Sequence, residues 1–136
     1  MENTSIAALE QITEELMYYS ESEYPVSIIQ LSAANKNELV ALLAKTQKVS
    51  IETVKNIPVK DFFGRFEDYL AFNGPDTVMN NNAARFLELY LFLKSRYNPI
   101  LVYRIEQPGK ALIPIYILGQ SKQGDFTGVA TMAVET

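Results

Sequence analysis

The residues of this chain best suited to chemistry are the carboxylates of a short acidic stretch, Ser20-Glu21-Ser22-Glu23-Tyr24-Pro25. The first 35 residues contain six acidic and no basic residues, a net charge of −6. Residues 36–136 contain ten acidic and twelve basic residues, a net charge of +2. Carboxylate oxygens without a basic neighbour can pair with external cations or with hard metal ions such as Mg²⁺. We therefore expect Glu21 and Glu23 to face outward, either to meet a basic partner or only to keep the protein soluble.

The absence of cysteine and histidine restricts the catalytic chemistry that the chain could perform. It excludes disulfides, the usual zinc sites, and nucleophiles that depend on a histidine base. Carboxylate pairs such as Asp61 with Asp68 keep an enzyme alternative open, although most charges at such spacings lie on solvated faces. The Gly119-x4-Gly124 spacing imitates a phosphate-binding loop, but Asp125 stands where that motif needs lysine. We predict that the protein is not an enzyme and needs no cofactor.

The charge and aromatic patterns argue against nucleic-acid and membrane binding. The eight tyrosines scatter through apolar segments without a basic stripe, which favours packing over base stacking. No apolar run approaches the roughly 18 residues of a membrane span, and Met1 to Ser5 lack the basic start of a signal peptide. The sequence predicts a cytoplasmic protein that binds neither nucleic acid nor membranes directly.

The first third of the sequence predicts a helix that leads through the acidic stretch into a strand. Ile6, Leu9, Ile12 and Leu16 form one apolar stripe, which indicates a helix over residues 5–19 with N-caps among residues 3–5. Pro25 disfavours helical angles at the preceding residue, so residues 20–25 are expected to form the exit loop. Residues 26–31 then have the composition of a strand.

The rest of the sequence predicts further helices followed by a run of strands. Residues 37–46 favour a helix, residues 49–54 a strand, and residues 61–66 a short helical turn. A long helix is expected from residue 83, capped by the asparagines at positions 80–82. Three strands follow, at residues 100–105, 112–118 and 126–134, and their short turns indicate antiparallel neighbours.

These elements predict an α+β fold with a largely antiparallel sheet. Helices that precede and separate the strands have to cover both faces of the sheet, which gives a layered sandwich. A chain of 136 residues with 48% hydrophobic residues has the size and composition of a single domain with a substantial core. We therefore expect residues 1–136 to form one domain.

The acidic stretch also resembles the S-E-S-E-Y-P signature of the nuclease A inhibitor family, which inhibits a cyanobacterial sugar-nonspecific nuclease. Other segments agree with this resemblance in order and spacing: Val102-Tyr103-Arg104, Ile117-Leu118-Gly119, Thr127-Gly128-Val129 and Val134-Glu135-Thr136. The resemblance covers nearly the whole length of the chain. It implies a three-layer α-β-α sandwich with helices on both faces of the sheet.

The resemblance further implies a protein that blocks the active site of a Mg-dependent sugar-nonspecific DNA/RNA endonuclease. Glu21 matches the first glutamate of the signature and is assigned to the basic groups of the enzyme. Thr136 matches the terminal threonine of the family and is assigned, through its hydroxyl or carboxylate, to the metal of the partner nuclease, directly or through water. Glu23 and Glu135 are expected to increase the local negative potential. On its own the protein is expected to be a monomer.

One segment departs from the family pattern. The known inhibitor has an acidic loop with a tryptophan where this chain has Phe72-Asn73-Gly74-Pro75-Asp76, and the chain contains no tryptophan at all. Phe72 and Asp76 are the residues expected to contact the partner in this segment. A non-catalytic binding module with a different partner is therefore the alternative. The inhibitor hypothesis predicts that Glu21 and Thr136 lie on the same face of the fold.

Overall fold

The computed structural model describes residues 2–72 and 78–136. Its four helices are α1 (Glu2–Thr13), α2 (Lys36–Gln47), α3 (Val59–Phe72) and α4 (Val78–Arg96), and a 3-10 turn spans Ile51–Thr53. Its seven strands are β1 (Met17–Tyr19), β2 (Glu23–Pro25), β3 (Ser27–Leu31), β4 (Val54–Ile57), β5 (Ile100–Ile105), β6 (Leu112–Gln120) and β7 (Phe126–Val134). No helix among the described residues is both long and apolar enough to cross a membrane.

The strands form one large and one small antiparallel sheet. The large sheet has the order β3-β7-β6-β5-β4, and every neighbouring pair is antiparallel. The small sheet is the β1–β2 hairpin (Met17–Pro25), in which Tyr18 lies opposite Tyr24. The predicted strands at residues 26–31, 100–105, 112–118 and 126–134 are all confirmed, with small shifts at their ends.

Both faces of the large sheet carry helices. Alternate residues of a strand point to opposite faces, and the two sets of apolar residues form two separate cores. One core joins α1, α3 and α4 to the sheet, chiefly through Leu9, Phe62, Phe63, Phe86, Leu89, Leu93, Val102, Ile115, Ile117 and Val129. The other joins α2 to the opposite face, through Leu39, Leu43, Leu101, Tyr103, Ile105, Tyr116, Leu118 and Phe126. The predicted α+β fold and three-layer α-β-α arrangement are confirmed.

The first helix begins and ends earlier than the sequence pattern predicted. α1 starts at Glu2 and ends at Thr13, whereas the apolar spacing predicted a helix to residue 19. Glu15 has a φ of 59°, outside the right-handed helical region. Arg85 of α4 donates to the backbone carbonyls of Ile12, at 2.8 Å, and Glu14, which satisfies carbonyl groups at the helix end. The chain after α1 therefore enters β1, and the acidic stretch is a hairpin turn with its second strand.

The middle of the chain is more helical than predicted. The short turn expected at residues 61–66 is part of the 14-residue helix α3. Stacked pairs between α3 and α4, Phe63 with Tyr90 and Phe66 with Phe86, each have ring centroids 4.5 Å apart and explain why this helix continues. The expected asparagine caps at positions 80–82 lie inside α4, and the strand expected at residues 49–54 lies at residues 54–57. The helix predicted at residues 37–46 is confirmed as α2.

Gly128 provides a test of the packing of the central strands. A Cβ atom added there would lie 1.9 Å from the Ile117 carbonyl oxygen of the neighbouring strand. Because backbone atoms in a central strand cannot move away easily, we expect Gly128→Ala to destabilise the protein by about 3 kcal/mol. In the control, Gly64→Ala in α3, an added Cβ meets no atom within 4 Å. That change is expected to stabilise the helix by about 0.5–1 kcal/mol, and urea unfolding of both variants measures the difference.

Candidate functional site

The acidic residues Glu21 and Glu23 lie on the β1–β2 hairpin, which is anchored in the core behind them. Tyr18 is almost fully buried and packs against Phe62 and Phe86, with ring centroids 6.1 Å away in each case. Burial raises the pKa of the Tyr18 hydroxyl, so this side chain stays neutral and accepts a hydrogen bond from Arg65. The hairpin thus has a fixed base while its turn projects outward.

Asn82 of α4 attaches the hairpin to the helical layer. Its side-chain oxygen accepts from the Met17 N–H at 3.1 Å, and its side-chain nitrogen donates to the Met17 carbonyl at 2.7 Å. The Val26 N–H also donates to the Leu16 carbonyl at 3.2 Å, across the open end of the hairpin. These bonds satisfy both backbone groups of Met17, which places the start of the hairpin in one position.

The last three residues of the sequence, Val134–Thr136 (the terminal segment), run beside the hairpin turn. The Glu21 N–H donates to the Val134 carbonyl at 3.1 Å, and the Val134 N–H donates to the Ser20 hydroxyl oxygen at 2.8 Å. The Glu21 carboxylate then accepts twice from Thr136, from its N–H and from its hydroxyl, both at 2.6 Å. The turn and the terminal segment therefore form one surface, the hairpin–terminus surface (residues 20–23 and 134–136).

The two hydrogen bonds from Thr136 change the acidity of Glu21. The hydroxyl and then the backbone N–H of Thr136 stabilise the carboxylate and lower the pKa of Glu21 below its ordinary value. Glu21 is exposed, so burial opposes this effect only weakly. The carboxylate is therefore ionised at neutral pH and available to a cation.

A pH titration can test this contact in the free protein. Because the pKa of Glu21 is lower in the folded than in the unfolded chain, the contact with Thr136 is fully formed above the unfolded-chain pKa. It is lost as the pH falls through the lowered folded-state pKa. We expect the side-chain carboxyl carbon of Glu21 to titrate in that window, below the usual carboxyl range, when followed by NMR. Thr136→Val removes the hydroxyl donor and should move this transition toward the usual range, and an unmoved transition would contradict the contact.

Glu135 contacts a different side chain from the one that Thr136 contacts. Its carboxylate forms an ion pair with Arg104 of β5, with 2.7 Å between Oε1 and Nη2. Arg104 also pairs with Glu106, with 3.0 Å between Nε and Oε2. Among the described residues neither Glu21 nor Glu23 has an ion pair, so no basic side chain there compensates their negative charges.

Comparison with known protein families identifies the family of the chain. The chain matches the family described as nuclease A inhibitor-like proteins over residues 3–136, which is essentially its whole length. It belongs to the nuclease A inhibitor-like family. No curated protein matches the chain. The family description implies a role of the nuclease-inhibitor type, with a nuclease as protein partner.

The structure brings some of the predicted site residues together and separates others. Glu21 and Thr136 are in direct contact, which confirms that they lie on the same face. Glu23 is exposed at the start of β2, beside the turn. Glu135 lies next to Thr136 in sequence, but it shares the single positive charge of Arg104 with Glu106, so its negative charge is only partly compensated. The Phe72 side chain and Asp76 lie outside the described residues.

Three features of this surface were not assigned from the sequence. Ser20 holds the Val134 backbone, although it stands inside the signature that drew attention to the turn. Arg104 pairs with Glu135, and its only sequence signal was the Val-Tyr-Arg segment of the family resemblance. Leu112 lies opposite Val134 and is 50% exposed, which places an apolar side chain beside the acidic surface. An isolated exposed leucine has no sequence signal of its own.

The structure offers little support for the enzyme alternative. Among the described residues no group of three or more acidic, histidine or cysteine side chains is placed to hold a metal ion. A cavity of about 640 Å³ between β3, α4 and the β6–β7 turn has a single carboxylate, Asp125, in its lining. That cavity lacks the paired carboxylates that acid and base catalysis of hydrolysis would need.

Proposed function

We propose that this protein inhibits a Mg-dependent, sugar-nonspecific endonuclease by placing its hairpin–terminus surface in the active site of the enzyme. The observation that carries this proposal is the hydrogen bond from the Thr136 hydroxyl to the Glu21 carboxylate, at 2.6 Å. A hydroxyl group has one hydrogen to donate and two lone pairs to offer. Since its hydrogen is directed at Glu21, the lone pairs of the Thr136 oxygen are left for the metal ion of the nuclease, directly or through water.

The charge of the surface supports the same role. A nuclease that acts on DNA and RNA holds phosphate groups with basic side chains and a divalent cation, so its active site attracts anions. Glu21 and Glu23 lie on one exposed hairpin, and neither carboxylate has an ion pair within the part of the chain that the structure describes. Each Glu21 oxygen has further lone pairs beyond those used by Thr136 and can accept from a basic group of the enzyme. We assign Glu21 to that contact and Glu23 to steering the association.

Apolar contacts would add affinity around this polar centre. Leu112 is half exposed and adjoins the terminal segment, where a partner could cover it. Phe72 and Asp76 are proposed as further contact residues on the strength of their place in the sequence, where the family resemblance puts a partner-binding loop. Large buried side chains at the centre of an interface commonly contribute most of its affinity.

A binding module for a different protein is the second candidate, and the absence of tryptophan favours it. Loss of a large aromatic anchor weakens an interface that depends on it. A chain that retained the scaffold and lost this contact would keep the Glu21–Thr136 arrangement without inhibiting the nuclease.

A titration of nuclease activity separates the two candidates. Untagged protein is added in increasing amounts to a Mg-dependent nonspecific endonuclease, preferably from the same organism, and plasmid cleavage is measured. Loss of cleavage at a 1:1 ratio is expected for an inhibitor that forms a monomer–monomer complex. A Glu88→Gln variant, which removes one exposed carboxylate from α4, should inhibit like the unmodified protein. No inhibition at large excess would reject the inhibitor proposal in favour of the second candidate.

A further inference from the structure

Arg104, Glu106 and Glu135 form a network of charged side chains near the terminal segment, and Arg104 is its least exposed member. Its side chain is only 12% exposed, whereas its two partners Glu106 and Glu135 are 43% and 44% exposed. The hydrogen bond that Arg104 donates to the Glu135 carboxylate is the main cause that raises the pKa of Arg104, so the guanidinium stays charged. An enclosed arginine whose planar group bonds two carboxylates has little freedom to reorient.

The position of Arg104 in the sheet lets it reach across a strand. Arg104 lies on β5 opposite Ile115 of β6, and Ile115 lies opposite Thr131 of β7. Glu135 follows the last residue of β7, and its N–H donates to the Ala111 carbonyl at 2.9 Å. The Arg104–Glu135 pair therefore ties β5 to the residue that follows the last register pair of β6 and β7, Leu112 with Val134.

Two successive residues are thus held by different partners. The Glu135 side chain is bonded to Arg104, and Thr136 is bonded through its N–H and hydroxyl to Glu21. The backbone hydrogen bonds of Val134 and Glu135 already place the segment, and the two side-chain contacts add a restraint on the orientation of its last two residues. The contact with Arg104 restrains the terminal segment relative to the large sheet, and the contact with Glu21 restrains it relative to the hairpin.

We infer that Arg104 is a positioning residue, which holds Glu135 so that Thr136 is presented at one place on the hairpin–terminus surface. A group that is ordered before binding loses less conformational freedom on association, so this contact raises the affinity of whatever the surface binds. The effect on nuclease inhibition rests on the function proposed above, whereas the ordering of Thr136 is a property of the free protein.

Amide hydrogen exchange in the free protein tests the ordering directly. The Thr136 N–H is protected by the Glu21 carboxylate, and we expect Arg104→Gln and Glu135→Gln each to increase its exchange rate by about tenfold. Arg104→Lys, which keeps a cation, should restore most of the protection. Glu106→Gln is the matched control, because it removes the other carboxylate of Arg104 and leaves the Glu135 contact in place.

The same variants are then compared in the inhibition assay. Arg104→Gln and Glu135→Gln are expected to raise the inhibition constant by about tenfold, with little change for Glu106→Gln. The Glu135 side chain is 44% exposed, so Glu135→Gln is expected to fold. This variant carries the test if Arg104→Gln does not fold. Unchanged Thr136 exchange in Glu135→Gln would overturn the positioning role. Faster exchange in a protein that inhibits no nuclease would support that role and reject the proposed function.

Discussion

Thr136→Val is expected to weaken nuclease inhibition by about a hundredfold and to shift the melting temperature by less than about 2 °C. The valine side chain has nearly the shape of the threonine side chain but has no oxygen to offer a metal ion, whereas the carboxylate of residue 136 is retained, so the variant tests the hydroxyl alone. The Thr136 N–H can still donate to Glu21, so the terminal segment should keep its place. The exposed position of Thr136 explains why stability should not change. Inhibition titrations and thermal unfolding measure the two quantities.

Two matched variants decide what such a loss means. Thr136→Ser keeps the hydroxyl and should inhibit nearly as well as the unmodified protein. Thr46→Val makes the same chemical change at an exposed position of α2, on the opposite face of the sheet, and should have no effect. Full inhibition by Thr136→Val would contradict the assignment of the hydroxyl to the metal of the nuclease.

Glu21→Gln is expected to weaken inhibition by about a hundredfold at low ionic strength and by clearly less in about 1 M salt. The change removes the charge that we assign to the basic groups of the nuclease. It also places an amide NH₂ where one oxygen now accepts from Thr136, so one of the two contacts is lost. Salt shortens the range of electrostatic attraction, from about 10 Å at 0.1 M to about 3 Å at 1 M, and so reduces the advantage of the charged form.

Glu23→Gln supplies the comparison for this variant. It removes the same charge from the same hairpin, and the described structure gives Glu23 no contact with Thr136. We expect a smaller loss, mainly in the association rate, which stopped-flow or surface-binding kinetics at several salt concentrations can resolve. Equal losses for the two variants would mean that only the total charge of the turn matters and that the Glu21–Thr136 contact has no role in binding.

Most of the fold could be predicted because its elements have strong local signals. The strands of the last third alternate apolar residues between turn-forming segments, and β5, β6 and β7 appear where this pattern places them. The errors occur where distant contacts override the local pattern. The apolar stripe runs on through Leu16, but the helix ends at Thr13, where Arg85 of α4 bonds its final carbonyl groups. No local pattern contains that contact.

The candidate site was only partly predictable for the same reason. The signature and the family resemblance led to Glu21 and Thr136, and the structure places them in contact although 115 positions separate them in the chain. The contribution of Glu135 to the negative potential stays a prediction, and its ion pair with Arg104, 31 positions away in sequence, was not foreseen. The sequence next to Glu135 is the same whether its side chain faces solvent or an arginine.

The sequence by itself determined the chemical groups of this protein and its local elements. An acidic turn without basic neighbours, the absence of histidine and cysteine, and the spacing of apolar residues are properties of the chain that hold in any fold. Only the tertiary structure decided which carboxylates meet a positive charge. Glu21 receives neutral donors from Thr136, whereas Glu135 shares Arg104 with Glu106, because strand order and register determine which side chains meet.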